Sequence, residues 1–311
     1  MMRDWLLSCG DGLIDFVPVR AADGGDAIRP AVGGSCLNIA VAMARLGATA
    51  GYVGGIAEDM YGGMIADHAL ASGVSLDFAD RFAAQCTLAF VRLSGGQAEY
   101  AFYDHESAAR HWHFRPDRFD WQRIAALHVG STTLIEDPTA GQTLAMVSAA
   151  QGNTCISFDP NCRPALVKDV GDYRARMSQF AARANLIRLS DEDFAYLYGD
   201  ADPAHLAARL LSDGADLVVL TRGGDGATAW HTSGCITIAA PAVTVADTIG
   251  AGDTFLAALL VALKENGGLT ALATLTEENL REALLFAARC AAITCSRPGA
   301  NPPWRHEVAA P

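Results

Sequence analysis

The sequence predicts an α/β fold: a doubly wound, mainly parallel sheet flanked by helices, with a smaller β-sheet beside it. Three observations carry the prediction. From residue 124 onward the short apolar runs 125–130, 154–159, 186–190 and 216–221 are separated by helix-length segments, the pattern of parallel strands joined by crossover helices. Between Cys86 and Tyr103 the pattern turns to alternation, with Leu88, Phe90, Val91 and Leu93, a break at Ser94-Gly95-Gly96-Gln97, then Tyr100, Phe102 and Tyr103; this reads as a β-hairpin with one apolar face. Third, a segment alternating at Val243 and Val245 leads through Gly250 and Gly252 into Phe255, Leu256, Leu259, Leu260 and Leu263, which reads as strand, tight turn and buried helix.

Taken in order, the chain opens with a strand over 5–9 that runs into Gly10-Asp11-Gly12-Leu13-Ile14-Asp15. The third glycine of a dinucleotide fingerprint is missing and no helical pattern follows, which argues against a Rossmann-type oxidoreductase. Asp15 reads on its own as a loop aspartate that closes an Asx turn. The run 37–46 is apolar on nearly all sides and stops at Gly47, so it reads as a buried helix following the Gly33-Gly34 turn. Its one amide, Asn38, must find partners, and beside a double-glycine turn it can both donate to and accept from a polyol. The hairpin of 86–103 either lies over a site as a lid or extends the main sheet. The cluster from His105-Glu106 to His113 lacks HExxH spacing, because Ala109 stands where the second histidine belongs, and reads as a hydrated loop instead of a zinc site. Ligands of doubly wound sheets sit beyond the carboxyl ends of the strands, and the residues there are polar: Ser131, Asp159, Ser190 and Thr221.

Composition narrows the function classes. With 51% hydrophobic and 19% charged residues over 311 positions, the chain has core enough for a globular unit, expected as one domain over 1–311. No run reaches the ~18 apolar residues of a membrane span, and the start is too short and acidic for a signal peptide, so a cytoplasmic protein without a membrane partner is expected. A net charge of −12 with no basic stripe argues against nucleic acid. The eight cysteines are scattered without a CxxC and read as reduced core thiols.

The chemistry concentrates at 247–255. A helix N-terminus carries unpaired N–H groups and partial positive charge, and Gly250 and Gly252 remove the side chains that would keep an anion away. Asp253, in the first turn beside those donors, is placed to take a proton from an attacking hydroxyl, and a base next to an anion hole is the minimum equipment for phosphoryl transfer. Read alone, the same residues are equally a strand-to-helix turn with an acidic residue that the helix dipole favours.

Asp-Thr-x-Gly-Ala-Gly-Asp-x-Phe, from Asp247 to Phe255, resembles the C-terminal signature of the ribokinase (PfkB) family of sugar kinases. Gly33-Gly34-Ser35-Cys36-Leu37-Asn38, followed by Asp59-x-x-Gly62, is similar to its N-terminal signature, with departures at Cys36 and Ala57. The resemblance runs from Gly10 to Pro303. It implies a ribokinase-like fold with a small β-sheet lid formed by about 12–32 and 86–108. It further implies Asp253 as general base, the amides of Gly250, Ala251 and Gly252 as anion hole, and sugar contacts from Asp15, Gly33, Gly34, Asn38 and Phe102. Asp159-Pro160-Asn161-Cys162-Arg163-Pro164 resembles a segment of bacterial fructokinases and implies that Arg163 orients or neutralises the migrating phosphoryl group, although an arginine here can also cap its own loop. Ser190-Asp191-Glu192-Asp193 falls at the family's magnesium-associated Asn-x-x-Glu segment, where the shorter Asp193 would reach Mg2+ through water. Thr221 to Ala227 resembles the nucleotide loop, so Ser190, Thr221, Gly223, Gly226 and Gly252 are the implied nucleotide contacts. The helix around 284–291 would line the adenine pocket. The loop of 294–303 after it can carry carbonyls for K+ near Asp247, yet glycine and proline that end a helix explain the same letters.

The implied activity is that of an ATP-dependent sugar kinase using ATP and Mg2+, most similar to bacterial fructokinases and acting on the 6-hydroxyl of fructose. Kinases for ribose, 2-keto-3-deoxygluconate or nucleosides share both signatures, while a non-catalytic sugar-sensing relative would have no need of Asp253. The apolar face of a detached lid is of the kind that a second copy covers, which predicts a homodimer through the lid.

Overall fold

The computed structural model describes residues 3–94 and 97–308, so the Gly95-Gly96 break of the hairpin lies outside the described residues. In chain order the elements are β1 (Trp5–Cys9), β2 (Leu13–Arg20), β3 (Asp26–Gly33), α1 (Ser35–Arg45), β4 (Thr49–Val53), β5 (Gly55–Ala57), α2 (Met60–Ala71), β6 (Asp80–Phe82), β7 (Leu88–Ser94) and β8 (Gln97–Tyr103). There follow β9 (Ile124–Gly130), α3 (Thr139–Ala150), β10 (Cys155–Asp159), α4 (Val170–Ala181), β11 (Leu186–Ser190), α5 (Asp191–Tyr198), α6 (Pro203–Ser212), β12 (Leu217–Thr221), β13 (Ala227–His231), β14 (Gly234–Ile238), α7 (Ala251–Glu265) and α8 (Glu277–Cys295).

Among the described residues the main sheet has the order β14-β13-β12-β11-β10-β9-β1-β4. It is parallel from β4 to β12, and β13 and β14 add an antiparallel edge. Successive side chains of a strand point to opposite faces, and both faces here are covered, which is why the strands read as largely apolar runs without alternation. Leu6 packs with Ile39, Met43, Leu256, Leu260 and Leu284 of α1, α7 and α8. Its neighbour Leu7 packs on the other face with Met146, Phe158, Phe180 and Leu210, under α3, α4 and α6. A third cluster, with Ile14, Leu37, Tyr52, Ile56 and Ile65, ties α1 and α2 to the small sheet. Helix α1 therefore has apolar neighbours on most sides, as its composition requires.

The small sheet is separate, with the order β3-β2-β7-β8. Phe16 of β2 stacks on Phe90 of β7 at 4.5 Å between ring centroids. The hairpin β7–β8 thus pairs with β2 and not with the main sheet.

The topology also fixes where a ligand can sit. After β1 the chain goes to β4 on one side and later returns to β9 on the other, and the crevice at the carboxyl ends of β1 and β9 is the switch point of the sheet. Asp11, just beyond β1, accepts a hydrogen bond from Ser131 Oγ, just beyond β9, at 2.9 Å across this crevice.

Three sequence expectations are corrected. The segment holding Val243 and Val245 is a loop and not a strand; both valines are exposed, and its backbone ties to the rest through Ala246 and Asp247, whose amides donate to the Cys295 carbonyl. The stretch 105–113 is not a hydrated loop throughout: Ala108–His111 form a 3-10 turn, and Ala108, Ala109 and Trp112 are buried. All eight cysteines are free, but Cys235 is exposed on the edge strand β14 and is not a core thiol.

Candidate active site

The chain enters helix α7 through its cap residue Gly250, whose φ of 76° is left-handed and where a Cβ would lie 2.7 Å from that of Ala300. Only glycine serves this turn. Among the described residues the amides of Gly250 and Gly252 meet no acceptor, whereas the Ala251 amide donates to the Thr248 carbonyl at 3.2 Å. The cradle therefore offers fewer free donors than the three amides expected.

Asp253 is buried in the first turn of α7. Its Oδ1 accepts from Ser35 Oγ at 2.7 Å and its Oδ2 from Asn38 Nδ2 at 2.9 Å, so α1 fixes the orientation of the carboxylate. Burial raises its pKa, and the Asn38 and Ser35 bonds together with Arg163 pull the other way without cancelling that effect. The result is an oriented carboxylate with strengthened proton affinity, the property a general base needs. The Asn38 side chain, expected to serve a polyol, spends one amide hydrogen on this carboxylate.

On the small sheet, Asp15 of β2 faces the same space. Its pKa is pushed up to about 6, mainly by burial and then by Asp11, while Arg163 opposes the shift. Arg163 itself caps its loop: Nη1 donates to the carbonyls of Asn161 at 3.1 Å and Cys162 at 2.9 Å and to Asn161 Oδ1 at 2.5 Å. It also lines the cavity, so capping its loop does not remove it from the site.

Beyond β11, Ser190 and Asp193 form a capping box at the start of α5. The Asp193 carboxylate also accepts from the Cys162 amide at 2.6 Å, which ties the Arg163 loop to α5 and leaves it little freedom to ligate a metal directly. Asp247 accepts from the amides of Ile249 at 3.0 Å and Gly299 at 2.8 Å, which pins the loop after α8 to the glycine turn.

The structure brings all these groups to the wall of one cavity of about 1190 Å³. Asp11, Asp15, Gly33, Gly34, Asn38 and Phe102 line it, as do Asp253 with the glycine turn, and Ser190, Thr221, Gly223 and Gly226 with Ala288 and Ala291 of α8. Sequence reasoning missed Ser35, Asp11 and Arg188, which also line it. Arg188 carried a readable signal, a lone charge inside an otherwise apolar strand. Ser35 and Asp11 carried none, since their partners are remote in sequence.

Comparison with known proteins agrees with this geometry. The profile of the pfkB family carbohydrate kinases matches residues 7–307. A fructokinase of Rhizobium leguminosarum bv. trifolii is 38% identical over 280 residues, which covers 89% of this chain and 85% of that protein. Fructokinase-2 of Oryza sativa subsp. japonica is 34% identical, with 96% and 90% covered. The crystal structure of a Xylella fastidiosa fructokinase with bound ATP superimposes with a TM-score of 0.89 at 26% identity, over 99% of this chain and 97% of that one. A Vibrio cholerae O395 fructokinase double mutant in fructose, ADP and potassium ion bound form shares the fold, with a TM-score of 0.83 at 22% identity over 96% and 94%. With a ribokinase-like sheet, a separate small sheet and the glycine turn that opens onto a buried carboxylate, the chain belongs to the pfkB family of carbohydrate kinases.

Proposed function

We propose that the protein is an ATP-dependent fructokinase that converts D-fructose and ATP into fructose 6-phosphate and ADP. The observation that carries the reading is Asp253, a buried carboxylate oriented by Ser35 and Asn38 beside the free amides of Gly250 and Gly252. The primary hydroxyl of the sugar donates to Asp253, which takes its proton as the oxygen attacks the γ-phosphorus; the new O–P bond forms as the β–γ bridge bond breaks and ADP leaves. Charge developing on the transferring oxygens meets the two amides at the N-terminus of α7 and the Arg163 guanidinium. Fructose is the favoured sugar because the two relatives reported above, each more than 30% identical over most of this chain, are named fructokinases. Initial rates over a panel of fructose, ribose, 2-keto-3-deoxygluconate and nucleosides test this: kcat/KM should be highest for fructose, and a higher value for any other acceptor overturns the substrate.

The charge on the cavity wall speaks for a divalent cation. Among the described residues seven acidic side chains line it against three arginines, so a bare triphosphate would be repelled; no cluster of three or more His, Cys, Asp or Glu side chains there is set to hold a metal by itself, so Mg2+ would arrive on the phosphates of ATP with Asp193 reaching it through water. When bound, the ion neutralises phosphate charge. Asp247 and the loop it pins are the proposed place for a monovalent cation.

Asp15 and Asn38 are the proposed anchors of the sugar hydroxyls, and Asp15 gives a pH signature. As an acceptor it must be ionised, so kcat/KM for fructose should fall as pH drops through about 6. The stability effect has the opposite sign. A folded-state pKa of about 6 against 3.8 for a free aspartate means that the fold holds the proton more tightly; that stabilisation is full below 3.8 and is lost as pH rises through about 6. Asp15→Asn should therefore raise Tm at pH 7 and give little gain at pH 3.5, while fructose binding weakens. A lower Tm at pH 7 would contradict the assignment.

We further propose that one domain spans the chain, that the small sheet acts as its lid, and that two copies meet through their lids. Ile28 and Tyr103, exposed on that sheet, support a partner surface. Sedimentation velocity should give twice the chain mass, and hydrogen exchange in β7 and β8 should slow on adding fructose while β10 and β11 change little. A monomer with an unresponsive hairpin would contradict both proposals.

A further inference from the structure

Below the glycine turn the sheet buries a cation that the reaction described above leaves without a task. Arg188 lies in the middle of β11, between the core residues Ile187 and Leu189, with its side chain only 8% exposed. Its Nη1 donates to Asp159 Oδ2 at 2.8 Å, and Asp159 is fully buried; its Nη2 donates to Thr221 Oγ1. Its Nε has no partner among the described residues. The guanidinium is held against the start of α7: a Cβ built on Gly252 would fall 2.8 Å from Nη2 and 3.0 Å from Nη1.

Folding alone gives a poor reason for this arrangement. A buried ion pair is often no more stabilising than apolar residues of the same volume, and an orphaned donor adds a desolvation cost. Burial works against the charge of Arg188, yet Asp159, Asp193 and Asp253 outweigh it, so the guanidinium stays protonated at the floor of a cavity whose wall is mostly acidic. The charge is fixed in place, faces the cavity, and sits directly behind an amide cradle. A polyanion entering this site meets few other cations, since among the described residues only Arg29 and Arg163 also line it.

We propose that Arg188 is a phosphate-binding residue, the fixed positive charge that the fold sets behind Gly252 to hold the β-phosphate of a nucleoside di- or triphosphate, with Asp159 and Thr221 as its positioning residues. The proposal rests on the kinase reading of the same cavity. It also gives the glycine a second duty, because any side chain at 252 would stand between the guanidinium and the phosphates.

Calorimetry with ADP and with adenosine on the full chain tests this. Arg188→Met should weaken ADP binding by about tenfold or more while adenosine binding stays within about twofold, and Arg188→Lys should fall between. Because Arg188→Met strands a buried carboxylate, the double variant Arg188→Met with Asp159→Asn is measured beside it and should show the same split. Equal losses for ADP and adenosine, or no loss for either, would overturn the proposal in favour of a structural pair. The readout needs no turnover, so the ADP-to-adenosine ratio decides the role of Arg188 even if the sugar panel overturns the kinase reading.

Discussion

Asp253→Asn is expected to lower kcat by about 10²–10⁴-fold while fructose and ATP still bind. A base acts only as the proton moves, so its removal appears in kcat and not in ground-state affinity. The amide can keep one oxygen for Ser35 or Asn38, so the fold should survive, and the substitution relieves a carboxylate whose pKa burial has raised. Unchanged melting with collapsed turnover is the expected combination. Turnover within a factor of a few of the parent in the purified variant would remove Asp253 from the chemistry.

Gly252→Ala is expected to cost about 10²-fold in kcat/KM for ATP, the usual penalty for a reacting group displaced by about 1 Å. The new methyl would lie 2.8–3.2 Å from the guanidinium atoms of Arg188, so either that side chain or the first turn of α7 must move. Alanine's better helix propensity offsets part of the cost of that shift, so Tm should fall by only a few degrees while activity falls far further. A loss of both in proportion would show that the substitution merely unfolds the turn, and full activity would show that neither the cradle nor Arg188 needs its present geometry.

The sequence made the scaffold legible where pattern and burial coincide. The strands β9 to β12 are buried on both faces, so each shows as a largely apolar run with a polar residue at or just past its end, of which Ser190 and Thr221 line the site, and the hairpin β7–β8 shows by its alternation. Pattern failed where alternation had no sheet behind it: β14 ends at Ile238, and Val243 and Val245 follow in a loop with no ladder to join. At the site, the glycine turn and Asp253 were legible because turn chemistry is local. What the carboxylate touches was not, since Ser35 and Asn38 reach it from more than two hundred residues away in sequence. In sequence Asn38 reads as a polyol ligand, yet its amide donates to the Asp253 carboxylate, and Ala251 spends its N–H on Thr248, as only the folded turn reveals.

A single-turnover reaction followed by phosphorus NMR addresses the central claim most directly: excess enzyme is mixed with ATP, Mg2+ and fructose, quenched, and the phosphorylated species are identified. The account predicts one equivalent each of ADP and fructose 6-phosphate from the parent protein and unreacted ATP from Asp253→Asn over the same interval. ADP accompanied by inorganic phosphate alone, or equal sugar phosphate from both proteins, would contradict it.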